Sequence, residues 1–196
     1  MIIAIYFLPL ATSMMLDREV SSDPRNNMMT IFTFDNESDS RRWPSTNDGV
    51  MGGLSEGRSE ITRDGVLRFS GSVSLENNGG FSSIRSIEEK RDLSAYDGIL
   101  IRVRGDGHRY ALNLRTDAEI RAGSYRVKFD TEADKWMELF LPFADFRATS
   151  FGVELADAPP LDPRKIRSFG LLISDKQAGP FNLEVDWIKA AKRQEP

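Results

Sequence analysis

"NDGVMGGLSEG", residues 47–57, is the stretch on which the fold class turns. Within it, Gly53-Leu54-Ser55-Glu56-Gly57 satisfies the G-x-S-x-G pattern, in which a serine nucleophile sits on a sharp turn between a buried strand and a helix. Read that way, the chain would be an α/β hydrolase. Read as a glycine bend between extended segments, it would be all-β. The flanks favour the second reading. Before Ser55, "RRWPSTNDGVM" is broken by Pro44 and by the Asn47-Asp48-Gly49 turn, and after it "EGRSEIT" alternates as a strand does. A hydroxyl nucleophile also needs a base, and the only histidine is His108, in the "GDGHRY" turn. Asp92 or Asp97 would complete a triad in name only. Ser55 is therefore read as a turn residue, and no enzymatic activity is expected.

Outward from this bend, short strand-like runs alternate with turn signals. "TIFTF" (30–34), "SEGRSEIT", "VLRFSGSVSL", "GFSSIRSI", "GILIRVRG", "RYALNLRT", "SYRVKFD", "WMELFLPF", "SFGLLISD" and "PFNLEVDWIKA" give about ten strands, at the spacing of a β-sandwich or barrel. Asp64-Gly65 reads as a two-residue hairpin turn. Short helical turns are expected near "PFADF" (142–146) and "DPRKI" (162–166), the latter with Pro163 at its first position. Residues 146–163 read as one long irregular connection, the kind of loop that is often functional or mobile.

Alternation within strands assigns their faces. Ile99, Ile101 and Val103 oppose Arg102 and Arg104. Leu112 and Leu114 oppose Asn113 and Arg115, while Tyr125, Val127 and Phe129 oppose Arg126 and Lys128. Seven Lys or Arg against three acids between residues 98 and 128 make a basic island in a chain of net charge −4. Two readings stay open: a solvated sheet face, or a recognition surface for an anionic or hydroxyl-rich partner. Whether the three strands lie in one sheet is not legible in the sequence.

The acidic balance argues against a nucleic-acid partner, and the absence of cysteine excludes disulfides, thiol catalysis and cysteine-ligated metals. One histidine leaves no ordinary zinc set. Asp35, Asn36, Glu37 and Asp39 lack the spacing of a calcium loop, and no phosphate-binding or dinucleotide fingerprint is present. No metal and no cofactor is expected. The apolar "IIAIYFLPLA" near the start is too short for a transmembrane span, which needs about 20 residues. It is preceded by no Lys or Arg, so an over-extended start codon is the first reading and a secretory leader the second.

The stretch "WPSTNDGVMGGLS" (43–55), with "FSGSVSLENNGGFSSIRS" (69–86) and "SFGLLISDKQAGPFNLEVDWIKA" (168–190), resembles the complex I intermediate-associated protein 30 family over nearly all of residues 30–190. The resemblance implies a galactose-binding-like jelly-roll β-sandwich without catalytic residues, here a single domain over residues 29–196. It also implies an assembly factor, chaperone-like toward a partly built respiratory complex I (NADH:ubiquinone oxidoreductase). The mitochondrial members carry a targeting presequence, which would be rich in Arg, and residues 1–28 hold only Arg18 and Arg25, so a bacterial protein is expected rather than a mitochondrial one. A cytoplasmic protein, peripheral to the membrane, is expected, with a periplasmic or secreted one as the alternative.

For matching positions such as Val50, Gly79, Gly80, Phe81, Ser174, Asp175, Gly179, Pro180 and Phe181, turns and core packing are sufficient roles. The candidate binding residues are Trp43, Asn47, Asp48, Met51, Gly52, Gly53, Ser55, Arg85, Asn113, Arg115 and Lys176. A protein partner is the first expectation. A carbohydrate ligand is the second, and it would need an exposed aromatic such as Trp136 or Tyr110 beside Asn113 and Arg115.

Overall fold

Strand alternation organises the whole of the computed structural model, which describes residues 27–35, 42–117 and 123–194. Its thirteen strands are β1 (Met28–Thr33), β2 (Ser45–Asn47), β3 (Glu56–Ile61), β4 (Leu67–Val73), β5 (Ser82–Arg85), β6 (Gly98–Arg104) and β7 (Arg109–Thr116), then β8 (Ser124–Asp130), β9 (Trp136–Pro142), β10 (Arg147–Ser150), β11 (Val153–Glu154), β12 (Ile166–Ile173) and β13 (Gly179–Ala191). All pair antiparallel. One sheet runs β3-β4-β13-β6-β9, with β1 also on β13, and the other runs β11-β10-β8-β7-β12-β5-β2. Face to face they form a jelly-roll β-sandwich. The described residues contain no α-helix, only single 3-10 turns at 48–51, 76–78, 143–145 and 163–165. The last two stand where the sequence placed helical turns, with Pro163 opening its turn.

The inward faces follow the predicted parity. Leu67, Phe69, Ile101, Val103, Leu183 and Val185 from the six-stranded sheet meet Ile84, Leu112, Leu114, Phe169 and Leu171 from the seven-stranded one, all essentially inaccessible. Burying a side chain of this size stabilises the fold by roughly 1.5–3 kcal/mol. Aromatic rings bridge the layers. Phe32 of β1 meets Phe169 of β12 edge-on at 5.3 Å, and Trp43 packs on Phe32 at 5.2 Å and Phe34 at 6.0 Å.

Two expectations are corrected, and one open question is answered. The Asp64-Gly65 hairpin closes through a longer turn, with Thr62 N–H donating to Val66 O and Gly65 N–H to Thr62 O. The connection 146–163 is not irregular throughout, because it begins with the β10–β11 hairpin. The three basic strands do not share a sheet: β6 lies in one, β7 and β8 in the other. The segment 1–26, the Asn36–Glu37–Asp39 cluster and the Val50 and Met51 side chains lie outside what is described.

Candidate functional site

Ser55 and Asp48 form the centre of the glycine stretch. The Asp48 carboxylate, wholly inaccessible, accepts four hydrogen bonds: Ser55 N–H at 2.9 Å, Ser55 Oγ at 2.5 Å, Gly80 N–H at 2.7 Å and Phe81 N–H at 3.3 Å. Burial pushes this carboxyl up, yet the donors outweigh it and hold it below the ordinary aspartate value. Ser55 Oγ in turn accepts from Ser74 N–H at 3.0 Å. The carboxylate thus fastens the loop after β2 to the loop between β4 and β5. Asn47 makes no side-chain cap on the turn that follows it, and Asp48 reaches across the fold instead of serving that turn.

Close approach explains the glycines. A Cβ on Gly53 would lie 2.4 Å from the Asp48 carboxyl, and one on Gly57 would lie 1.9 Å from Ser82 Oγ. Gly57 belongs to one sheet and Ser82 to the other. Asn47 clamps this corner, donating to Gly57 O at 3.3 Å and accepting from Ser82 Oγ at 2.7 Å. Gly52 ends the 48–51 turn at φ +88°. Trp43, Asp48, Gly53 and Ser55 are therefore interior parts of a joint between the sheets and offer no surface to a partner.

None of the Ser55 partners is an imidazole. His108 keeps its own company: its Nδ1 lies 2.9 Å from Asp106, whose carboxylate also accepts from Tyr110 Oη at 2.9 Å and Asn182 N–H at 2.7 Å. Burial raises the Asp106 carboxyl, and the backbone donors of Asn182 and His108, with the two side chains, bring it below the ordinary value.

The basic residues divide into two unlike sets. On the outer face of the six-stranded sheet, Glu184 is buried between Arg68, at 3.0 Å, and Arg104, at 2.5 Å. Arg102 pairs with Asp186 at 3.2 Å, and both Arg102 and Arg104 stack on Trp136. That face is neutralised by its own acids.

The outer face of the seven-stranded sheet is built differently. Register places Arg147, Arg126, Asn113, Gly170 and Arg85 in one row across β10, β8, β7, β12 and β5. In the adjacent row Arg115 stands opposite Ser168. Neither row contains an aromatic ring, and their one acid is Glu154 at the far edge, which follows Thr149 in the second row and lies 4.0 Å from Arg147. Arg126 Nε donates to Asn113 Oδ1 at 2.9 Å. Burial holds the Arg126 guanidinium below its ordinary value against the attraction of Asp175, and burial together with the repelling Arg115 does the same to Arg85 against that of Glu88. Among the described residues no carboxylate lies within ion-pair distance of Arg85 or Arg126. Lys128 is satisfied by Asp175 at 2.7 Å.

The structure thus brings Arg85, Asn113 and Arg115 together and adds Arg126, Ser168 and Gly170 to them. Arg126 was legible from its parity, but Ser168 and Gly170 carry no signal of their own. Lys176 stands apart, exposed in the β12–β13 loop at φ +59°. The aromatic neighbours that a sugar site would need are absent: Tyr110 is a core residue, 1% exposed, and Trp136 lies on the other sheet. A hollow of about 880 Å³ lies elsewhere, beneath residues 154–163 and lined by Phe143, Phe146, Leu155 and several prolines.

Comparison with known proteins fits this picture. A family model described as "Complex I intermediate-associated protein 30" matches residues 32–185. A Mus musculus protein of that name, described as mitochondrial, is 31% identical over 183 residues, covering 81% of this chain and 54% of that protein. Its Drosophila melanogaster counterpart is 27% identical over 138 residues, covering 66% and 46%. The chain thus spans about half the length of the curated relatives it matches. Among solved structures, a family 11 carbohydrate-binding module from Clostridium thermocellum, in complex with a mixed-linked tetrasaccharide, shares the fold. Its TM-score is 0.65 at 15% identity, covering 86% of this chain and 98% of that one. An agarase shares it at a TM-score of 0.59 and 11% identity, with 87% of this chain matching 25% of the enzyme.

Proposed function

We propose that this chain, which belongs to the complex I intermediate-associated protein 30 family, is a non-enzymatic protein-binding module that acts as an assembly factor for respiratory complex I. It would hold a partly built subunit on the outer face of its seven-stranded sheet while working in the cytoplasm beside the membrane. The observation that supports the reading is the contrast between the two outer faces. One neutralises its arginines with Glu184 and Asp186, and the other leaves Arg85 and Arg126 half-buried without a carboxylate. Fold analogy alone would not carry a duty.

Crosslinking with mass spectrometry on native membranes tests it. Respiratory subunits crosslinked near β7, β8 and β12 are expected, and a catch with no such subunit would overturn the reading. A glycan ligand is the rival, drawing on the fold shared with carbohydrate-binding modules. Rows without an aromatic ring speak against it, since sugar faces stack on such rings. A glycan array that responds, and stops responding in Arg126→Gln, would put it in place of the protein reading.

A further inference from the structure

Resting on that reading, we infer that the row of Arg126, Asn113, Gly170 and Arg85, with Arg115 and Ser168 beside it, is a carboxylate-binding groove that takes an extended acidic segment of the partner protein.

The floor is low where the groove needs it. Gly170 sits between Asn113 and Arg85 with no side chain, so the backbone of β12 forms the base. Cations flank it on both sides. Neighbouring strands lie about 4.8 Å apart, which puts Arg126 and Arg85, three strands apart, about 14 Å from each other. Asn113 and Arg115 share a face two residues apart, about 7 Å along the strand, the same repeat that separates alternate side chains of an extended peptide. The distance of about 14 Å between Arg126 and Arg85 is two such repeats, so a peptide crossing the strands with acids at alternate positions would meet both cations.

Ser168 supplies an independent sign. Its side chain points to this outer face, opposite Arg115, yet it is only 1% exposed and its Oγ has no hydrogen-bond partner. A buried hydroxyl without a partner is costly, and such groups mark sites completed by something else. A guanidinium fork accepts a carboxylate through two parallel N–H bonds, and a half-desolvated one gains more from it than a solvated one. A peptide is favoured over an acidic sugar because the rows offer nothing for a sugar ring to stack on.

Fluorescence anisotropy on the full chain tests the groove, with a labelled peptide of alternating Glu and Ala as probe. The same peptide with Gln for Glu, and an oligogalacturonate, serve as comparisons. The Glu peptide is expected to bind and the Gln peptide not, with affinity falling as salt is raised. Arg126→Gln and Arg85→Gln are each expected to weaken binding by about tenfold or more, the loss of one charge-assisted pair. Arg126→Lys, which keeps the charge but not the fork, should fall between. Arg102→Gln on the opposite sheet should change nothing. Thermal melting of each variant separates lost binding from lost folding. A Glu peptide that stays free, an equal loss in Arg102→Gln, or binding of the galacturonate alone would overturn the inference. If the Glu peptide stays free while crosslinking still recovers respiratory subunits on this face, the groove's chemistry is wrong and the protein-binding reading survives.

Discussion

The Ser55 hydroxyl faces the Asp48 carboxylate at 2.5 Å, both inside the protein. A serine so placed donates its proton to an ionised acid and has no imidazole to take it away. Ser55→Ala should remain folded but lose about 1–2 kcal/mol, and Asp48→Asn about 3 kcal/mol, because several buried donors lose their acceptor. Urea denaturation measures both. A fluorophosphonate probe should leave Ser55 unlabelled, and labelling there would restore the hydrolase reading.

Stability should fall in acid with a slope that Asp48 helps to set. Asp48 and Asp106 are held below the ordinary aspartate value when folded. In the unfolded chain they titrate near the ordinary value of about 3.9. The unfolded state therefore binds more protons between the two, so stability rises with pH in that window. The contribution is fully present above the unfolded value and is lost as pH falls through the folded values. Urea midpoints taken across this acidic range should climb less steeply for Asp48→Asn than for the native chain. Parallel curves would refute the role given to Asp48.

Two neighbouring glycines should behave oppositely. A Cβ on Gly53 collides with Asp48, whereas one on Gly49 meets nothing within 4 Å. Gly53→Ala is expected to cost about 3 kcal/mol by forcing the buried carboxylate aside. Gly49→Ala should lie within about 0.5 kcal/mol of the native chain. Thermal melts decide it.

At the tip of the β10–β11 hairpin, Phe151 is 89% exposed and stands at φ +48°, followed by Gly152 at φ +82°. A two-residue turn with both φ positive favours Asn-Gly, and a bulky residue in the left-handed region is strained. Phe151→Asn should raise stability by about 1 kcal/mol. A fall in midpoint would contradict the strain.

The strands were legible because strong alternation leaves little choice. "ILIRVR" and "YALNLR" could only turn Ile101 and Leu112 inward. What stayed hidden depends on which strands become neighbours. Arg104 and Arg115 look alike in sequence, yet one meets Glu184, which lies 80 residues away, and the other stands opposite Ser168 in the other sheet. Short strands such as β2 and β11 carry too few residues for a period to show. Asp48 read as a local turn residue because its partners, Gly80 and Phe81, come close only after two sheets have packed.

β13 lies in the middle of its sheet, flanked by β4 and β1 on one side and by β6 on the other. The last of the described strands is thus the one that joins the others. While a ribosome is still making residues 179–191, β1, β4 and β6 wait with open edges. Folding on this layout depends on contacts between segments remote in sequence, which makes it slow and leaves the unfinished chain prone to pairing with the wrong strand. A stop placed just before β13 would remove a seam rather than a tail, and should yield an insoluble product.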